Sequence, residues 1–392
     1  MRALGCVLHS ISKGHPNMKM IFEEWGYSIM QRQVSSWFDS AQKSDIKKAI
    51  SINRSGFHFF RLKNQFYYDC FYLTEIFDPK LLKDLNEFLV NEGRTIFTRS
   101  ALKRTANYFI DGVGELSVEG NLLDHRKENK QFVEKRESKV LVVATVSAGK
   151  STLINALTGY HFNKVMNGVC TTGICEIHNK IKEDGISLKR EKYLSYESDI
   201  ESFSSNDSLE VAFHFKSSLG NSRICLLDTP GVNNSTDANH LQITSDTIKL
   251  QNYDLIVFIS NGRYNGTNDE HRLLKLLLKT ANKSILFSLN QLDTFKNITD
   301  DIGKMIGDFR NELVTIGFKN PKVFPISAQY AYLLRSEPEL DDDETNELRL
   351  LRRRFSKSYL DLQSYIGEPS RNEIEKSGII LLEQAIKNQL YL

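Results

Sequence analysis

The apolar run Lys139-Val140-Leu141-Val142-Val143 passes through Ala144-Thr145-Val146-Ser147-Ala148-Gly149-Lys150-Ser151-Thr152 into Leu153-Ile154-Asn155-Ala156-Leu157, a helical sequence. A buried strand that turns through Gly-Lys-Ser-Thr into a helix constrains the fold more than any other feature of this chain. The strand has to lie in a sheet covered by helices, and the loop has to face an anion. Its tight turn aims backbone N–H groups and a helix N-terminus at phosphate oxygens. Lys150 places a charge between the outer phosphates, and the Ser151 hydroxyl offers a ligand to Mg2+. The usual pattern opens on glycine where this chain has Ala144. One added methyl is harmless there if φ is negative and damaging if φ is positive.

With 392 residues the chain is long for one domain, and one large domain with a smaller attachment is expected. A hydrophobic content of 40% with 26% charged residues describes a chain able to bury a core. The net charge of +2 lacks the basic excess of a nucleic-acid binder, so no nucleic-acid partner is expected. Five cysteines without a C-x-x-C pair read as reduced thiols in a cytoplasmic protein. No apolar run reaches the roughly 20 residues that span a bilayer.

Residues 1–136 form an expected N-terminal attachment, mainly helical and of unknown role, with crowded aromatics over Phe57–Tyr72 that suit a strand pair or a buried helix face. Residues 137–392 alternate strand and helix signals, as a doubly wound, mostly parallel α/β sheet requires. Strands are expected at 139–144, 174–181, 209–215, 223–228, 254–260, 284–289 and 322–326. Helices are expected at 150–158, 239–250, 268–280, 299–316, 328–335, 344–366 and 379–390. The acidic Asp341–Glu344 followed by Arg349, Arg352, Arg353 and Arg354 suits the dipole of a solvated helix better than an anionic partner.

Several strand ends carry chemistry. Thr171-Thr172-Gly173 begins 21 residues after Lys150. A threonine at that spacing can complete the Mg2+ shell with its hydroxyl and meet the γ-phosphate with its N–H. After Ile224-Cys225-Leu226-Leu227 come Asp228-Thr229-Pro230-Gly231, where the aspartate holds the metal through water and Gly231 offers its N–H to the γ-phosphate. Asn290-Gln291-Leu292-Asp293 ends another strand. The Asp293 carboxylate accepts both N–H groups of the guanine Watson–Crick edge, whereas adenine presents an acceptor there. Gln291 stands where lysine is common, which alters the bracing of base and loop. Ser327-Ala328 follows a short strand and supplies backbone groups toward the guanine carbonyl.

With these elements in order, residues 139–392 resemble a GTPase of the dynamin superfamily, in particular its bacterial dynamin-like branch. The residues that carry the likeness are Ser147–Thr152, Cys170-Thr171-Thr172, Asp228–Asn234, Gly266-Thr267-Asn268-Asp269 and Ser377–Glu383. The resemblance implies a P-loop GTPase domain that hydrolyses GTP with Mg2+. Ser147, Lys150, Thr171 and Gly231 are the implied catalytic residues. Ser147, Ala148, Gly149, Lys150, Ser151, Thr152, Asp228, Gly231, Asn290, Asp293, Ser327 and Ala328 are the implied nucleotide contacts, and Ser151, Thr171 and Asp228 the metal contacts. Two departures stand out. Val146 occupies the position where eukaryotic dynamins carry a glutamine that arranges water and a cation. The chain also ends at Leu392, directly after the last expected GTPase helix, so the long assembly helices are expected to be missing or supplied by a longer dynamin-like partner. The expected partners are GTP and GDP, a second copy across the nucleotide face, or that longer relative. The expected location is cytoplasmic, with peripheral membrane contact as an extension of the likeness. The alternative is a nucleotide-gated binding or scaffold module with negligible hydrolysis.

Overall fold

A computed structural model of the chain describes residues 1–19, 21–23, 36–40, 42–46, 57–92, 96–116, 122–145, 147–161, 174–182, 187–189, 209–229, 245–250, 252–296 and 300–391. They fall into two compact units, one comprising 1–134 with 184–196 and the other 135–183 with 197–392.

The first unit is helical: α1 (Arg2–Ser12), α2 (Ser36–Ser40), α3 (Phe57–Phe77), α4 (Leu82–Glu92), α5 (Ile96–Ala106) and α6 (Leu122–Glu134). The aromatic segment, for which a strand pair was an alternative, is α3. Every residue from Tyr67 to Thr74 is buried, so this stretch of the helix is covered on all sides and shows no amphipathic stripe. Its polar tips find partners. The Tyr68 hydroxyl donates to the Leu122 carbonyl at 2.7 Å, and Arg126 grips Glu75 in a fork at 2.7 and 2.6 Å.

The strands are β1 (Ser138–Ala144), β2 (Cys175–Asn179), β3 (Ser187–Lys189), β4 (Leu209–Phe213), β5 (Ile224–Asp228), β6 (Leu255–Asn261), β7 (Ser284–Asn290) and β8 (Val323–Pro325). The short β3, not expected from the sequence, lies in the segment grouped with the first unit. Within the second unit β4, β2, β5, β1, β6, β7 and β8 lie side by side in that order. All pairings between them are parallel except β2 with β5. Strands β5 and β6 are buried along their whole length, as a sheet covered on both faces requires. The expected doubly wound, mostly parallel architecture is therefore present. Chain order reverses direction at β1, whose neighbours are β5 and β6, and the crevice beyond the carboxyl end of such a strand is where open α/β sheets bind ligands.

The helices of this unit are α7 (Lys150–Thr158), α8 (Asn268–Thr280), α9 (Ile302–Ile316), α10 (Ala328–Arg335), α11 (Asp342–Phe355), α12 (Glu373–Lys376) and α13 (Ile379–Leu390). Thr267, Asp301, Ser327 and Asp341 cap four of them by accepting the N–H three residues on. The acidic run thus begins α11, and Arg352 pairs with Glu337 at 2.7 Å and Glu373 at 3.0 Å. The helix expected over 344–366 stops at Phe355 and gives way to two 3-10 turns. The Ser356 hydroxyl bonds back to the Arg353 carbonyl at 2.8 Å. Asp361 leaves helical geometry at ψ 84° and accepts the Ser370 N–H at 2.9 Å. Of the helix expected at 239–250, residues 245–250 are helical and the remainder lies outside the described residues.

Candidate nucleotide-binding site

The phosphate loop starts on secure ground. Ala144 ends β1 in register with Ile259 of β6 and is 1% exposed. Extended backbone accommodates its methyl, so the missing glycine costs nothing. Positive φ falls instead at Ser147 (61°) and Gly149 (90°). Gly149 is bound to be glycine twice over, because an added Cβ would also stand 2.3 Å from Asn290 Nδ2.

Strand ends grip the loop by its carbonyls. Asn290, the last residue of β7, donates from Nδ2 to the Ala148 carbonyl at 3.0 Å and accepts the Ala328 N–H at Oδ1, also at 3.0 Å. Gln291 Nε2 and Asn261 Nδ2 donate to the Ser147 carbonyl at 2.7 and 3.2 Å. A trans peptide sends its N–H opposite to its carbonyl, so with the Ala148 carbonyl held on Asn290 the Gly149 N–H points away from the strand end. Gln291 therefore keeps the bracing of the loop in the absence of lysine. Asn261 was not singled out by sequence reasoning; its signal is a polar residue closing the apolar run Leu255–Ile259.

Lys150 and Ser151 open α7. The Lys150 ammonium is ion-paired with Asp228 at the end of β5, and both side chains are 10% exposed. The neighbouring Thr229 hydroxyl donates to the Val142 carbonyl at 3.2 Å, which anchors the end of β5 against β1. Ser151 and Thr152 are half-buried in the first turn of α7. A serine hydroxyl and a carboxylate are hard oxygen donors of the kind Mg2+ takes, so this donor set fits that ion. Thr171 and Gly231, together with Val146, lie outside the described residues.

The residues expected to read the base are brought together. Asp293 follows Asn290 in a 3-10 turn, and the Ser327 hydroxyl donates to its Oδ1 at 2.8 Å. Burial pushes the Asp293 carboxyl above its ordinary range, against the pull of the Ser327 hydrogen bond and the charges of Arg354 and Arg263. The Ala328 N–H already serves Asn290, so a bond from it to a guanine carbonyl would share that hydrogen.

Comparison with known proteins bears on this segment. A family model described as the dynamin family matches residues 140–292, from β1 through the loop, β5 and β6 to the turn after β7. No curated protein matches the chain. Among solved structures, translation elongation factor SelB from Methanococcus maripaludis in its apo form matches with a TM-score of 0.30 and 15% identity, over 55% of this chain and 34% of that one. Era in complex with MgGDPNP and nucleotides 1506–1542 of 16S ribosomal RNA matches with a TM-score of 0.30 and 17% identity, over 56% of this chain and 57% of that one. The chain thus spans about a third and just over half of those two proteins. The similarity to the dynamin family takes in the loop, Asp228 and Asn290, and stops one residue before Asp293.

Proposed function

We propose that the second unit binds GTP with Mg2+ and hydrolyses it to GDP and phosphate, as a dynamin-like GTPase. The observation that carries this reading is the double grip of Asn290. One amide ties the phosphate loop to the Ser327–Ala328 turn, whose Ser327 hydroxyl meets Asp293, and this supports reading Lys150, Ser151 and Asp228 as one site with Asp293. Lys150 exchanges Asp228 for the outer phosphates when nucleotide enters. Asp293 accepts the two guanine N–H donors and leaves adenine unmatched. Ser151, Asp228 and Thr171 would hold Mg2+, which would supply positive charge against the phosphates. Thr171 and the Gly231 N–H position the γ-phosphate and the attacking water.

Valine at 146 has no polar group to orient that water, so basal turnover is slow. It also favours the second reading, a module that holds GTP as a switch. The partners are a second copy across the nucleotide face or a longer dynamin-like relative. No helix among the described residues is long and apolar enough to cross a membrane, so contact with one is peripheral in this proposal.

Single-turnover release of phosphate from Mg·GTP, measured at low and high protein concentration, separates the readings. The rate should rise with concentration, and Thr171→Ala should lower it by roughly 100-fold or more, the scale of losing one transition-state partner, while GDP still binds. No release at any concentration would leave only the switch.

A further inference from the structure

The opposite end of the central strands carries a second cluster of reactive side chains. In the sheet, His178 of β2 stands across from Cys225 of β5, and Cys225 stands across from Lys139 of β1. Residues in register on adjacent strands share a face, and a period of two adds Glu176 and Glu137 to it. Lys139 lies five residues before Ala144, about 16 Å along the strand, so this cluster is separate from the phosphate loop.

Three of its atoms form a nearly equilateral triangle. Cys225 Sγ lies 4.0 Å from His178 Nε2 and 4.0 Å from Glu176 Oε2, and those two lie 3.7 Å apart. The centre of that triangle is roughly 2.3 Å from each atom, against about 2.0–2.3 Å for zinc bonded to nitrogen, oxygen or sulfur. The other imidazole nitrogen is taken: His178 Nδ1 contacts Glu137 Oε1 at 2.9 Å. A carboxylate on one ring nitrogen holds the tautomer that leaves the other as a lone pair, which is how metal-binding histidines are oriented. Cys225 is fully buried, while Glu137, Glu176 and His178 are 22–29% exposed, so the triangle has a closed floor and an open rim.

A plain ion-pair cluster accounts for Glu137 with His178, and for Lys139 on Glu176 Oε2 at 2.7 Å. It does not account for a thiol placed at equal reach of the imidazole and the carboxylate. We propose that Cys225, His178 and Glu176 bind a divalent transition-metal ion of the zinc class, with Glu137 orienting the imidazole and the fourth position left to water. A sulfur, nitrogen and oxygen donor set excludes Mg2+ and Ca2+ as its natural occupants. The thiol binds as thiolate and gives its proton to solvent, and the Lys139 ammonium shifts to the other Glu176 oxygen. The ion clamps β2 to β5 across their antiparallel pairing.

Titration of the full, reduced, chelator-stripped chain with Co2+ in excess Mg2+ tests this. One equivalent should bind and produce a thiolate-to-cobalt charge-transfer band in the near ultraviolet, which Zn2+ then displaces. Cys225→Ala should abolish the band. Glu137→Gln changes a part-exposed group, and should weaken Co2+ binding by about 10–100-fold while the metal-free thermal midpoint stays in place. Absence of the band in the wild-type chain would overturn the proposal. So would Co2+ affinity that is unchanged in both variants.

Discussion

Asn290 is buried and has both ends of its amide engaged, one on the Ala148 carbonyl and one on the Ala328 N–H. Asn290→Ala leaves both groups without a partner, at roughly 1–3 kcal/mol for each buried orphan, and a denaturant titration should show stability falling on that scale. GTP affinity should fall with it. Asp293 behaves differently. Its carboxyl is held above the ordinary range, so its contribution to stability is present below the unfolded-state value near pH 4 and is lost as pH rises through the raised value. Guanine recognition runs the other way, because only the ionised carboxylate accepts both N–H donors. Calorimetric GDP affinity should therefore decline on acidification at a higher pH than an ordinary aspartate would set. In Asp293→Asn that step should vanish, and preference should pass to xanthine nucleotides, whose acceptor suits the amide donor. Unchanged pH dependence in Asp293→Asn would remove Asp293 from the base contact.

Among the elements, the junction of β8 with α13 depends on Gly378. Its φ is 76°, and an added Cβ would stand 2.0 Å from the Pro325 carbonyl oxygen. That approach lets Ser377 accept the Ser327 N–H at 2.9 Å, which positions the residue whose hydroxyl meets Asp293. Gly378→Ala should cost about 1–3 kcal/mol through backbone strain and also weaken guanine nucleotide binding, read by thermal midpoint and calorimetry together. Nucleotide affinity unchanged beside a lowered midpoint would show that the junction supports the fold alone. The strands of this unit were legible as apolar runs, and helices such as α8 and α9 because an apolar stripe follows a capping residue, Thr267 or Asp301. The end of α11 was not, since Ser356 and Asp361 break the helix through side-chain bonds that propensity does not encode. Helix α3 left two readings open because the unbroken burial of Tyr67–Thr74 erases the stripe that identifies a helix.

At the scale of the whole molecule, the last helix is tied through a buried ion pair to α10 and from there to α7, the helix that follows the phosphate loop. Glu383 of α13 meets Arg335 of α10 at 2.6 Å with 0% and 9% of the side chains exposed, and also accepts the Ser218 N–H at 3.2 Å. Arg335 in turn donates to the Ala156 carbonyl in α7. Glu383→Ala strands a buried guanidinium and should destabilise the second unit by about 3–5 kcal/mol, whereas Glu383→Gln should cost less because hydrogen bonds remain. Equal unfolding midpoints for wild type and Glu383→Ala would contradict that. Contacts of this range separate what was readable from what was not. Short-range motifs such as Gly149-Lys150-Ser151 carry their chemistry in adjacent residues. The grip of Asn261 on Ser147 and the meeting of His178 with Cys225 depend on strand order and register, which no local pattern specifies. In the proposed function the strand ends around Asn290 build a guanine-specific site. Calorimetric titration of the full chain with Mg·GTP and with Mg·ATP tests it most directly. GTP should bind tighter than ATP by roughly 100-fold or more; ATP binding as tightly as GTP would rule the guanine site out.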